Sequence, residues 1–291
     1  MSHPHDRTPW EFLDDRAQLA SAPERPRRVV TYVQAGAALW DHGIRPAGVF
    51  GSPHDDETTA DPAKTGRLPM GDVPYLGAGA GLDVGTLLAA EPDLLVAVTY
   101  GGSAVYAIAP ETAKHLEEHV PVLALSVAAD RGLTGIRERF AELAHALGAP
   151  ERPEAAHELD AAEGLFRAAA ASAGDIRITA VSSAGPDQVY VARPHTWSDL
   201  TALHALGATL PEPPDGPGIN WHTTTWDEVI SWQPDIVLTD ARAHAGPTDP
   251  ALAGRTRLLP WNPELPPSPD AHARFLTGLA EALRDAARSR K

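Results

Sequence analysis

The sequence predicts an α/β protein of two similarly planned lobes joined by one long helix, and three observations carry that reading. Residues 27–50 follow a strand, helix, strand rhythm, which favours a parallel sheet with right-handed crossovers. Residues 153–174 keep the period of a single helical face without interruption. A unit of helix, Pro-Asp and buried strand occurs twice, at 83–98 and again at 226–238.

In the long helix, Ala155, Leu159, Ala162, Phe166, Ala169 and Ala173 recur at steps of four, three, four, three and four. Pro153 suits a first helical position, Glu154 and Glu158 complement the positive end, and Gly174 can take the left-handed conformation that ends helices. Roughly 20 residues at about 1.5 Å each span about 30 Å, the diameter of a small domain. Its central position in the chain makes it the expected strut between the lobes.

A length of 291 residues suffices for two domains, each with its own core. With 43% hydrophobic and 22% charged residues there is no disorder signature over most of the chain, and no apolar run reaches the length of a membrane span. The net charge of −15 argues against a general nucleic-acid or membrane-surface binder, because phosphate contacts need clustered Lys and Arg. The lack of any cysteine excludes disulfides, thiolate metal sites, iron–sulfur clusters, cysteine nucleophiles and a lipidated N-terminal Cys. The first residues lack the basic-then-apolar pattern of a secretory leader, so the chain as written is expected in the cytoplasm or with its leader removed.

Residues 1–26 are polar and punctuated by proline, with Trp10, Phe12 and Leu13 as anchors, and read as an arm or short hairpin laid on the first lobe, which spans 27–150. There, 27–32 reads as a strand with a basic lead-in, 35–43 as a helix stopped by Gly43, and 44–50 as the next strand. Residues 51–81, rich in Gly, Pro and Asp, form a long loop and therefore a candidate for function. Their Gly77-Ala78-Gly79-Ala80-Gly81 run is not a dinucleotide fingerprint: the third spacing fails and the preceding residues are polar. The glycines instead let the backbone turn into a helix capped by Asp83. The first Pro-Asp strand follows, then a strand at 120–126 and a helix at 133–147 with Ile136, Phe140, Leu143 and Leu147 on one face.

The second lobe, 175–291, opens with a strand at 176–182 and a hairpin or next strand at 188–192. A loop at 193–197 leads to a helix over 199–206, and 211–225 is a second Pro/Gly loop carrying Trp221 and His222. After the second Pro-Asp strand come a last strand at 257–261 and an amphipathic helix at 272–284. Each Pro ends its helix and each Asp turns the chain into a core strand.

Motifs for catalysis and metal binding are weak. His115 and His119 lie one turn apart, but Leu116 breaks the H-E-x-x-H pattern and a solvated face is expected. The run His54-Asp55-Asp56-Glu57 reads as a charged loop tip. Ser182-Ser183-Ala184-Gly185 follows a strand without the G-x-S-x-G pattern of a nucleophile turn. No catalytic residue, resident metal or cofactor is therefore expected.

The order of segments resembles the substrate-binding proteins of ABC importers that carry iron siderophores, haem or cobalamin. The similarity runs from Trp10-Glu11-Phe12 with Asp14-Asp15-Arg16 and the PERPRRVV stretch at 23–30, through Leu39-Trp40-Asp41-His42-Gly43-Ile44 with Val49-Phe50-Gly51 and the two Pro-Asp strands. It continues in the VYVARPHTWSDLTALHALGA stretch at 189–208 and the closing LLPWNPE segment. The resemblance implies the helical-backbone type of periplasmic-binding-protein fold, two Rossmann-like lobes connected by a single long helix. It implies a solute-binding protein that holds a ferric siderophore or similar chelate for an ABC permease, outside the cytoplasm and as a monomer. Nucleic-acid binding and membrane insertion are not expected, and iron enters only inside the chelate. The alternatives are a cytoplasmic metabolite carrier or sensor on the same fold and, behind both, a hydrolase or metal-dependent enzyme.

Ligand contacts are expected in the cleft between the lobes, on loops leaving strand ends. The candidates are Tyr32, Tyr100 and Tyr106 from the first lobe, and Arg193, His195, Trp197, Trp221, Arg242 and Trp261 from the second. Flat aromatic faces suit a bulky chelate, and guanidinium groups neutralise hydroxamate or carboxylate oxygens. Arg193 and Trp197 rank first because the resemblance places similar residues at the ligand, while Tyr32 and Trp261 fit a core role equally well.

Overall fold

The computed structural model describes residues 9–79 and 82–290. The chain divides into two compact units, the first made of residues 1–128, 134–152 and 266–268, the second of 129–133, 153–265 and 269–291.

The first unit begins with an antiparallel hairpin, β1 (Trp10–Leu13) and β2 (Leu19–Ala22). Its turn is held by Asp14, whose carboxylate accepts the Arg16 and Gln18 N–H groups, each at 2.9 Å, and the Ala124 N–H at 3.0 Å. The hairpin expected of the arm is thus hydrogen-bonded to a core strand; residues 1–8 of that arm lie outside the described residues.

Strands β3 (Val29–Tyr32), β4 (Gly48–Phe50), β5 (Leu94–Thr99) and β6 (Val122–Ser126) form a parallel sheet in the order β4-β3-β5-β6. Every position of β5 and β6 is buried, as continuous apolar runs in a parallel sheet require. Helix α1 (Val33–Asp41) crosses between β3 and β4. A Cβ on Gly36 would lie 2.3 Å from Thr31 Oγ1 and 2.9 Å from Val49 Cγ1, so only glycine lets this helix approach the sheet so closely.

Among its described residues the long loop at 51–81 contains a short α-helix, α2 (Pro62–Thr65), absent from the sequence reading because a single turn leaves no periodicity. Ala80 and Gly81 of the glycine run lie outside the described residues. Helix α3 (Val84–Ala89) starts at Asp83, whose side chain accepts the Thr86 N–H at 2.7 Å, the expected cap. Helices α4 (Pro110–Glu117) and α5 (Gly132–Ala146) complete the layer, α5 burying Ile136, Phe140 and Leu143.

The second unit holds the longest helices. The helix read as a strut is α6 (Pro153–Ala173), and the side chains of its apolar stripe are covered: Leu159, Phe166 and Ala169 share a core with Leu276, Leu279 and Leu283 of the C-terminal helix α10 (Pro269–Ser289). Strands β7 (Ile178–Ser183), β8 (Val189–Ala192), β9 (Trp221–Thr224), β10 (Ile236–Asp240) and β11 (Arg257–Trp261) order as β11-β10-β7-β8-β9, the first three parallel and the last two antiparallel. Strand β9 corrects the reading of 211–225 as loop throughout: six of the ten residues before it are Pro or Gly, and they masked four that pair with β8. Helices α7 (Ser198–Ala205), α8 (Trp226–Ser231) and α9 (Pro250–Ala253) connect these strands.

The internal echo repeats in detail. Glu91 and Gln233, one before each proline, both take left-handed backbones, with φ of 48° and 52°. Asp93 accepts the backbone N–H groups of Arg27 and Arg28 at 2.8 and 2.9 Å, and Asp235 accepts that of Arg177 at 2.8 Å. The same arginines return to the helix end, Arg28 Nη2 donating to Ala90 O at 2.6 Å and Arg177 Nη2 to Gln233 O at 2.7 Å. The Pro-Asp unit therefore locks each helix-to-strand turn onto the start of the neighbouring parallel strand.

Candidate functional site

Parallel strands in open α/β sheets present ligands at their carboxyl ends; the tyrosines of the first unit and Arg242 and Trp261 of the second lie there, whereas Arg193, His195 and Trp197 follow the antiparallel strand β8 and Trp221 opens β9. In the first unit, Tyr32 ends β3, Tyr100 follows β5, and the Tyr106 N–H donates back to Val98 O at 2.8 Å. Tyr106 stands edge-on between the other two, 5.5 Å from the Tyr32 ring centroid and 4.9 Å from that of Tyr100. Tyr100 is half exposed and Tyr32 is sealed, so the row runs from surface to core.

Tyr32, offered as a ligand contact, is sealed from the surface. Its burial against Phe50 and its hydroxyl, which accepts from Lys64 Nζ at 3.4 Å, make it the support of Tyr106. Lys64 is fully buried and donates to Asp55 at 2.7 Å and Ser52 Oγ at 3.1 Å. Asp55 is thus the internal partner of a lysine; the reading of 54–57 as a charged loop tip is corrected at this residue.

In the second unit three tryptophans meet. Trp197 lies edge-on to Trp221 at 4.9 Å and to Trp261 at 5.5 Å, and Trp221 and Trp261 are 6.0 Å apart. Tyr190, partly exposed on β8, tilts against Trp221 at 6.2 Å. Trp261 is only 1% exposed, and its Nε1 donates to Asp199 at 2.6 Å; it backs the cluster while Trp197 and Trp221 retain open surface. Burial pushes the Asp199 carboxyl up to about 6, although the Trp261 N–H and backbone N–H groups pull it down.

Both arginines have partners within the unit. Arg193 is 7% exposed, and its guanidinium donates to Gly218 O at 2.9 Å and Pro214 O at 3.1 Å. It pins the 211–220 loop whose Asn220 carbonyl accepts the Trp197 indole N–H at 3.2 Å. Arg242 is gripped by Asp240 at 2.7 Å and Glu264 at 3.0 Å, and Ser182 Oγ donates to Asp240 at 2.7 Å. Burial alone would raise the Asp240 carboxyl, but hydrogen bonds and charge from Arg242, with the Ser182 hydroxyl, hold it below its ordinary value. The hydroxyl weighed as a nucleophile therefore serves an ion network.

His195 is exposed, and its ring pairs with Glu212 at 2.8 Å. His115, in the last turn of α4, and His119, just past its end, stack at 4.9 Å and are both exposed, in keeping with a solvated surface. Sequence reasoning passed over Lys64, Asp199, Tyr190, Glu212 and Glu264. Only Asp240, two residues before Arg242 at a strand end, carries a local signal of its pairing.

A family profile described as periplasmic binding protein matches residues 29–253, more than half of the chain. This chain belongs to the periplasmic binding protein family. Among solved structures, DesE, a ferric-siderophore receptor protein from Streptomyces coelicolor, is 28% identical with a TM-score of 0.83, over 95% of this chain and 98% of that one. The periplasmic haem-binding protein RhuT from Roseiflexus sp. RS-1 is 21% identical with a TM-score of 0.63, over 90% and 99%. The siderophore periplasmic binding protein from the fuscachelin gene cluster of Thermobifida fusca is 20% identical with a TM-score of 0.61, over 90% and 98%. No curated protein matches the sequence significantly. The fold is the helical-backbone type that the sequence resemblance implied, and its relatives are binding proteins. Among the described residues no helix is long and apolar enough to cross a membrane.

Proposed function

We propose that this chain is a solute-binding protein that holds a ferric siderophore or similar metal chelate and delivers it, outside the cytoplasm, to an ABC importer. The observation that carries the reading is the Trp197, Trp221 and Trp261 cluster at the strand ends of the second unit, on a fold shared at a TM-score of 0.83 with a ferric-siderophore receptor protein. Trp197 and Trp221 offer flat apolar faces to a bulky chelate, with Tyr100 and Tyr106 the corresponding surface of the first unit. Both sets rest on buried neighbours, so their geometry is preorganised and little ordering entropy opposes binding. Iron is cargo inside the chelate rather than a resident cofactor, and the chain acts by binding alone.

The test is a tryptophan fluorescence titration against ferric hydroxamate, catecholate and carboxylate siderophores, haem and cobalamin, repeated with Trp197→Ala and Trp221→Ala. Saturable quenching by a ferric siderophore, weakened in both variants, is the expected result. Saturation by haem or cobalamin alone replaces the ligand class. Silence across the panel favours a carrier or sensor of another metabolite.

A further inference from the structure

We propose, independently of the chelate reading, that His115, Glu118 and His119 of the first unit form a surface site for one divalent ion of the zinc class. The three residues are exposed, and their ligand atoms lie within 4.8 Å of one another. Spacings of three and four residues put them on one face of the helix end. Leu116, the residue that breaks the H-E-x-x-H pattern, is fully buried and anchors that end on the core.

Two imidazoles and one carboxylate are a donor set that zinc and its neighbours accept, whereas a hard cation such as calcium needs six or more oxygens. The His119 ring is already oriented for ligation. Its Nδ1 lies 2.9 Å from the His115 carbonyl oxygen, which can only accept, so Nδ1 carries the hydrogen and the neutral ring keeps its lone pair on Nε2. A carbonyl holding the second ring nitrogen is the usual outer support of a metal-ligating histidine. The His115 ring stacks on that of His119 with 9° between their planes, which brings both imidazoles to one spot. Ligands of a tetrahedral zinc ion stand at about 2.0–2.1 Å from it and about 3.3 Å from one another, so small rotations of exposed side chains close the site.

The surroundings favour a cation. Helix α4 turns its negative end towards the three residues. The nearby guanidinium of Arg16 is bound to Asp14 at 2.7 Å, Glu117 at 3.0 Å and Val122 O at 2.9 Å, which ties the helix end to the hairpin without engaging Glu118. The site is separate from the tyrosine row: it lies between the end of α4 and the start of β6, at the amino end of that strand, whereas Tyr32 and Tyr100 lie at carboxyl ends. Three protein ligands leave one position of a tetrahedral ion open to water.

Isothermal titration of the intact chain with zinc chloride tests the site, in the parent and in His115→Gln, Glu118→Gln and His119→Gln. The expected result is a saturable zinc site, weakened at least about tenfold by each substitution and not displaced by calcium in about hundredfold excess. X-ray absorption on the zinc-loaded parent, which needs no variant, is expected to show two imidazole nitrogens at about 2.0–2.1 Å. Equal zinc affinity in the parent and all three variants, a zinc shell lacking the imidazole pair, or no saturable zinc binding overturns the inference. The chelate reading is decided by its own titration in each case.

Discussion

Asp240 and Trp261 are register partners on the last rung of two adjacent parallel strands, so the ion network of Arg242 begins beside the buried member of the tryptophan cluster. The side chains of Asp240 and Glu264 are 1% and 2% exposed. Arg242→Met is therefore expected to destabilise the fold by about 3–5 kcal/mol, because two buried carboxylates lose their cation. Urea unfolding measures the loss, and the penalty is expected to shrink as pH falls through the depressed value of Asp240.

Two carboxyls of the second unit give stability terms of opposite sign with pH. Asp199 is raised by burial from 3.8 to about 6, so its contribution is fully present below its unfolded value and is lost as pH rises through about 6. Asp240, lowered from 3.8, contributes above that value and loses its contribution as pH falls through its depressed one. Asp199→Asn keeps an acceptor for the Trp261 N–H and removes the buried charge. It is expected to gain about 2 kcal/mol over the parent at neutral pH and nothing in acid, measured by unfolding at both.

Arg193 spans two carbonyls of one loop with a fork that an ammonium cannot reproduce. Arg193→Ala and Arg193→Lys are both expected to raise amide hydrogen exchange across 211–220 by at least about tenfold, with the core strands unaffected. Unchanged exchange in that loop would show that Arg193 does not pin it.

Lys64 and Asp55 form a fully enclosed pair beneath the tyrosine row. Lys64→Met alone is expected to cost about 3–5 kcal/mol, and Lys64→Met with Asp55→Leu to recover most of that, since the pair costs desolvation that an apolar pair does not. Thermal unfolding of the two variants against the parent checks the order.

The sequence revealed the architecture because its strongest signals are local. The 3.6-residue period of α6, the Asp83 cap and the repeated Pro-Asp unit each need only a few neighbouring residues to be legible. The purpose of the repeated Asp was hidden, because Asp93 and Asp235 act on Arg27, Arg28 and Arg177, more than fifty residues away. Strand β9 was concealed by the Pro and Gly residues before it.

At the candidate site the aromatic side chains were found by type, and the tyrosines and tryptophans do gather into two clusters. Their depths were not legible: Tyr32 and Trp261 are sealed because neighbouring strands and rings cover them. The partners of the arginines were hidden for a related reason. Sequence shows a guanidinium but not its partners, which for Arg193 are loop carbonyls and for Arg242 include a carboxylate 22 residues on.

The most direct measurement is isothermal titration of the purified chain with a ferric trihydroxamate and with the same ligand free of iron, for the parent and for Trp197→Ala and Trp221→Ala. The expected result is saturable one-to-one binding of the ferric form, tighter than the iron-free ligand, and weakened at least about tenfold by each truncation of an aromatic face. No heat from the ferric chelate, or equal affinity in the parent and both variants, would contradict a chelate site built on these tryptophans.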